Sequence, residues 1–142
     1  MKASVREARP GDASALADLV TQLGYPSRAA PVASRLTALL SADQGLLVAE
    51  VGGAVVGVVH VDRWATLVLD DAAEIGALVV DNQWRGQGIG RALLQAAEEW
   101  AAQRGCSTLH VRTNIVRQRA HEFYFHNGFR HVKTSLTLVK EL

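Results

Sequence analysis

The sequence predicts an α/β protein: a mixed central sheet with helices on both faces. Three observations carry this. Apolar residues recur first with strand, then helical, then again strand periodicity, in the order β-α-α-β-β-β-α-β-α-β. Two β-branched runs flank the pair Gly52-Gly53, which is a hairpin signal. A strand apolar on both faces, Glu74 to Val80, runs through a glycine-rich turn into a long amphipathic helix.

Taken in order, Ala3 to Ala8 alternates weakly as a first strand and ends at Pro10-Gly11. Asp12 is positioned to cap a helix whose buried face is Leu16, Leu19, Val20 and Leu23, stopped by Gly24-Tyr25-Pro26. Ser27 is placed to cap a second helix, striped by Val32, Leu36, Leu39 and Leu40. Strands follow at 46–51 and 54–61, and residues 65–72 read either as the far end of a second hairpin or as a loop. After the strand 74–80 and the turn, Ile89, Leu93, Leu94, Ala97, Trp100 and Ala101 keep helical spacing until Gly105. Residues 108–113 form a strand, 119–126 a short helix closed by Asn127-Gly128, and 129–140 one or more closing strands.

The 142 residues fit one domain, taken as 1–142, with 49% apolar and 20% charged residues, proportions that exclude a disordered or collagenous chain. No apolar run reaches the roughly 18 residues that cross a bilayer, and the opening residues lack a leader's apolar core, so a cytoplasmic location is expected, with no membrane partner. A single cysteine, Cys106, forms no internal disulfide and no metal cluster, so no metal is expected. The net charge of +1 argues against nucleic acid as a partner. Residues 1–83 nevertheless hold six Lys/Arg against ten Asp/Glu and residues 84–142 nine against four, so an anionic ligand favours the second half, although solvated arginines produce the same imbalance.

A strand, a glycine turn and a helix start together make an anion site, because the first helical turn presents unpaired N–H groups at the positive end of the dipole. Gly86, Gly88 and Gly90 let backbone approach phosphate oxygens, and Arg85 and Arg91 add charge. The dinucleotide fingerprint fails, since Arg91 stands where its third glycine belongs. The Walker loop fails as well, lacking both its Lys and the following hydroxyl. What remains is [Q/R]-x-x-G-x-[G/A], met by Arg85, Gly88 and Gly90.

That hexapeptide resembles the coenzyme A motif of the GNAT N-acetyltransferases. Downstream, Ala120-His121-Glu122-Phe123-Tyr124 with Asn127-Gly128-Phe129 resembles the family's A-x-x-F-Y-x-x-x-G-F segment. The resemblance implies the GNAT fold, with a mixed sheet of six to seven strands, and an acetyl-CoA-dependent N-acetyltransferase. It implies a cofactor held by Leu78, Val79 and Val80, by Arg85, Gly86, Gln87, Gly88, Ile89, Gly90 and Arg91, and by Asn114 and His121. It places the pantetheine arm beside the central strand and makes Tyr124 the group that stabilises the leaving thiolate. Asn114 and Ala120 are six positions apart, where the family spacing is three, so this loop is longer.

Transfer to an amine also needs an oxyanion donor and a proton acceptor. The N–H of Leu78 or Val79 is the expected donor. Strict alternation puts Glu74 on the face of Gly76, Leu78 and Val80, and a carboxylate in an apolar strand is costly unless paired or used, so Glu74 is the candidate base and His60 the alternative. The 114–124 and 137–142 segments look most like the aminoalkylphosphonate and aminoglycoside acetyltransferases, which implies a small amine acceptor. Arg28, Arg35, Arg63, Arg130 and Lys133 are candidates for an anionic acceptor, and Asp62, Asp70 and Asp71 for a polyamine. A protein or peptide acceptor and a non-catalytic acyl-CoA sensor are the alternatives. A homodimer is in keeping with the family.

Overall fold

In the computed structural model, which describes residues 2–69 and 71–142, Met1–Arg112 and Thr113–Leu142 are two compact units. The first holds a five-stranded sheet in the order β1 (Ser4–Glu7), β2 (Gly45–Val51), β3 (Ala54–Arg63), β4 (Ala72–Val80) and β5 (Thr108–Val111). The first three pairings are antiparallel and β4–β5 is parallel, so the sheet is mixed as expected. Helices α1 (Ala13–Gln22) and α2 (Ala29–Ser41) connect β1 to β2, and α3 (Ile89–Gln103) connects β4 to β5.

Alternation sorts the strand residues between two layers. Val48, Val58 and Val79 face α1 and α2, packing with Leu16, Leu19, Val32 and Leu36. The opposite face receives α3, whose Leu93, Leu94 and Ala97 are fully enclosed. Close approach there depends on Gly57, where a Cβ would stand 2.9 Å from Leu93 Cδ1. Removing such a buried leucine side chain costs about 2–5 kcal/mol, so these two layers hold the sheet in place.

Local capping differs from the sequence expectation at two places. Asp12 makes no bond to the N–H groups of α1. Its carboxylate, 6% exposed with its residue, instead accepts bonds from Arg6 Nη1 at 2.9 Å and Nη2 at 3.0 Å and from the Arg9 amide at 2.9 Å. A carboxylate this deep gains more from a guanidinium fork than from a helix end, and the pair holds Asp12 below the usual carboxylate range. Ser27 likewise does not cap α2; Arg28 occupies that position, and the Ser27 hydroxyl donates to the Tyr25 carbonyl. Residues 65–69 and 71, between β3 and β4, belong to no strand or helix, which favours the loop over the second hairpin.

The second unit contains α4 (Gln118–His126). Gly128 at φ 93° ends it, with Phe129 N–H donating to Tyr124 O and Gly128 N–H to Phe125 O, the Schellman pattern. Residues 129–142 form no strand, so the sheet has five strands and not the six to seven expected. An alternating apolar segment becomes a strand only where it pairs with a row of N–H and C=O groups, which periodicity by itself does not supply. Among the described residues no helix is long and apolar enough to cross a membrane.

Candidate active site

β4 is the scaffold of the site, and its register decides which groups it presents. Gly57 pairs with Val80 and His60 with Ala77, but Val61 pairs with Ile75, leaving Gly76 as an extra residue in β4. This bulge reverses the alternation below it. Glu74 therefore lies opposite Asp62, on the His60 side of the sheet and not on the face of Leu78 and Val80 that strict alternation predicts. Glycine suits the bulge because a Cβ at Gly76 would sit 2.9 Å from His60 Nδ1.

Hydrogen-bond parity then separates Leu78 from Val79. Asp81 N–H donates to Val56 O on β3, so in this antiparallel ladder the amides of residues 79 and 77 also point toward β3, while those of Leu78 and Val80 point away. On that outer side β5 pairs only with Ala72 to Ile75. From Gly76 to Val80 the outer edge of β4 has no partner strand among the described residues. Of the two expected oxyanion donors, the register points Leu78 into this opening and Val79 away from it.

The strand runs into a braced turn. Asp81 accepts from the Gln83 amide at 2.9 Å and from Gln22 Nε2 at 3.3 Å, and Gln22 Oε1 accepts from the Asn82 amide. Arg85 Nε donates to Val80 O at 3.2 Å. Gly86 (φ 78°) and Gly88 (φ 82°) are left-handed, and Gly88 is the N-cap of α3, whereas Gly90 is an ordinary helical residue. No side chain caps α3 and no acidic residue stands in its first turn. A Cβ at Gly86 or Gly88 would meet nothing within 4 Å. The glycines are thus required by conformation, and the space before the helix is open. Uncapped amides of a 15-residue helix, beside Arg85, Gln87, Ile89 and Arg91, suit the diphosphate of coenzyme A, and the open outer edge of β4 suits an extended amide-bearing chain.

On the Glu74 side, Arg112 Nη2 donates to Oε1 at 2.7 Å, while Oε2 is buried without a partner. The Glu74 side chain is 14% exposed and that of Arg112 71%. Trp64 and His110 meet edge to face at 4.9 Å, and the Arg112 guanidinium lies 5.9 Å from the Trp64 ring. His60 pairs with Gln44 Oε1, and burial pushes its imidazole below its ordinary value, so it is neutral at pH 7. Sequence reasoning missed Arg112 and Gln22, because the contacts 38 residues from Arg112 to Glu74 and 59 from Gln22 to Asp81 have no local signature. Asp70 lies outside the described residues.

Within the second unit Tyr124 is buried, stacked edge to face with Phe123 at 5.3 Å and Phe129 at 5.2 Å. Burial pushes its phenol up to about 12. Asn114 and His121 serve the loop itself: Asn114 Oδ1 accepts from the Val116 amide, and His121 Nε2 bonds Asn114 O at 2.9 Å. Among the described residues no group of three or more His, Cys, Asp or Glu side chains is gathered as a metal site.

Comparison with known proteins gives the family of the chain. The profile described as "Acetyltransferase (GNAT) family" matches residues 14–129. The aminoglycoside N(6′)-acetyltransferase type 1 of Stenotrophomonas maltophilia is 30% identical over 131 residues, 89% of this chain and 85% of that protein. The aminoalkylphosphonate N-acetyltransferase of Salmonella typhimurium is 47% identical over 57 residues, 40% of this chain and 37% of that protein. The matched parts span less than half the length of two of the curated relatives. AAC(6′)-Iy, solved with a bisubstrate analogue, superposes with a TM-score of 0.87 over 100% of both chains at 16% identity, a likeness of fold.

Proposed function

We propose, from the premise that this chain belongs to the acetyltransferase (GNAT) family, that it transfers the acetyl group of acetyl-CoA to a primary amine of a small molecule, by direct attack in a ternary complex. The observation that carries the reading is one continuous feature: an outer β4 edge with the Leu78 and Val80 amides facing outward, leading through left-handed Gly86 and Gly88 to the uncapped start of α3. Each part matches one part of the cosubstrate. The relatives' names supply the acceptor class, since one acts on aminoglycosides and another on aminoalkylphosphonates.

The steps are assigned to this chain's own groups. The Leu78 amide donates to the thioester oxygen as negative charge develops there. Glu74 accepts the ammonium proton through water, while Arg112 holds Oε1. His60, neutral and on the same side of the sheet, is the second candidate for that proton. The amine nitrogen bonds to the carbonyl carbon, the C–S bond breaks, and the electron pair leaves on sulfur. Tyr124, with its phenol raised to about 12, stays protonated at neutral pH and donates a hydrogen bond to the departing sulfur, which then takes a proton from solvent. Asn114 and His121 are assigned to the cosubstrate by motif position. Their present bonds within the loop would be exchanged for that contact. A cytoplasmic site of action is part of the proposal and is in keeping with the single free Cys106.

Thiol release from acetyl-CoA, measured against aminophosphonates, aminoglycosides, polyamines, amino acids and amino-terminal peptides, tests the reading. A small amine should give saturable release with stoichiometric N-acetyl product. Release with peptides alone would overturn the acceptor class, and release with none of them would overturn the activity.

A further inference from the structure

The face of the sheet that carries Glu74 continues onto β5. Asp62, Glu74 and His110 lie opposite one another on β3, β4 and β5, and Arg112, two residues beyond His110, shares their face, as its bond to Glu74 requires. Glu74 is recessed and Arg112 prominent, with 14% and 71% of their side chains exposed, so a molecule arriving on this face meets the guanidinium before the carboxylate. Arg112 commits only Nη2 to Glu74, at 2.7 Å, and its Nε and Nη1 donate to no acceptor among the described residues. The guanidinium is nevertheless held. The Glu74 bond fixes one end, and the Trp64 ring, 5.9 Å away and itself edge to face with His110, stands beside it. A fork bonded on one side and open on the other suits a second, oxyanionic group.

We propose that Arg112 selects the acceptor: the amine that is acetylated carries a carboxylate or phosphonate close to its nitrogen, and that anion binds the open donors of the Arg112 guanidinium. The inference rests on the acetyl-transfer reading and narrows its acceptor. Register sets the spacing. Leu78 and Glu74 lie opposite Val59 and Asp62, three residues apart on β3, so the Leu78 amide and the Glu74–Arg112 pair are separated by ~10 Å along the strand. Contact distances of ~3 Å at the thioester and ~3 Å at the guanidinium leave ~4 Å between the amine nitrogen and the anionic oxygens, a span of one or two carbons. Asp62 and Glu74 supply negative charge for the ammonium, so both ends of such a zwitterion meet an opposite charge on one face. A polyamine or aminoglycoside has no anion to place there and brings positive charge against Arg112.

Acetyl transfer to matched pairs tests this: a small amino acid and its amide, and aminomethylphosphonate and its diethyl ester. Members of a pair differ in the anion, and their difference in amine basicity cancels when the pair is compared between two enzymes. From wild type to Arg112→Gln, kcat/KM for the anionic member should fall relative to its neutral partner by about 10–100-fold, the worth of a charge-assisted bond. Arg112→Lys keeps a cation beside Glu74 but loses the fork, so its ratio should fall less, and it reads the same effect if the glutamine variant does not fold. Loss of the grip on Glu74 alone slows both members of a pair equally, so an unchanged ratio in both pairs overturns the inference and leaves acetyl transfer standing. The pair with the larger effect identifies the anion as carboxylate or phosphonate. Transfer to no amine overturns the acetyl-transfer reading instead. Calorimetry of the coenzyme A complex with the same amines then decides the role of Arg112: the anionic member should bind wild type and not Arg112→Gln, and either no binding to wild type or equal binding to both would overturn it.

Discussion

Substituting Gly88 isolates the backbone conformation on which the proposed anion site depends. The residue sits at φ 82° and ψ 5°, and a Cβ there touches nothing within 4 Å, so a side chain introduces no collision and only the left-handed conformation is taxed. For an L-residue that conformation costs about 1–2 kcal/mol, and a β-branched one tolerates it worst. Gly88→Val must therefore show the strain in one of two places. If the turn holds, the unliganded protein should melt roughly 3–8 °C lower. If the turn relaxes, the amides at the start of α3 lose their aim, and restoring them on binding weakens coenzyme A by about 5–30-fold, the same free energy read as affinity. Gly88→Asn is the control, because asparagine visits the left-handed region readily and should lose less than half as much. Calorimetry with coenzyme A at low salt, paired with thermal melts, reads both quantities. If Gly88→Val changed neither the melting temperature nor the affinity, the reasoning from the turn to the phosphate site would be refuted.

Further expectations follow from the other groups. Tyr124→Phe should lower kcat by about tenfold to a hundredfold with the KM for acetyl-CoA within about threefold, and an unchanged kcat removes the phenol from the reaction. Since burial raises the folded phenol from 10.0 to about 12, the native state keeps a proton the unfolded chain has lost, so stability should fall as pH rises through that interval, and the Phe variant should lack this loss. Glu74→Gln should reduce kcat by about a hundredfold or more if its carboxylate takes the proton. A loss under about threefold in that variant, with His60→Gln instead abolishing the acid limb of the rate profile, would move the role to His60, whose depressed value places that limb below pH 6.5. Asp12→Asn should destabilise the fold by about 2 kcal/mol in urea melts at pH 7, because Arg6 loses its fork while keeping Glu50. The Asp12 contribution is present above its unfolded value near 3.8 and lost as pH falls through the lower folded one, so the wild type should lose this stability on acidification and the variant should not.

The sequence by itself determined most of the elements and the glycine turn, because both are written in local spacing. The α3 stripe, the Gly52-Gly53 hairpin and the alternating glycines at 86 and 88 need only neighbours a few residues away to be read. Only the tertiary structure decided which groups those elements present. The extra residue at Gly76 turns Glu74 to the His60 side, and the ladder with β3 turns the Leu78 amide outward, facts that depend on a register set by packing between distant strands. Arg112 reaches Glu74 across 38 residues, and Arg6 takes Asp12 from its helix, for the same reason: buried charge seeks the partner that three-dimensional proximity supplies. The segment 129–142 carries a strand's pattern without becoming one, since periodicity describes what a segment can bury and only a neighbouring edge lets it do so.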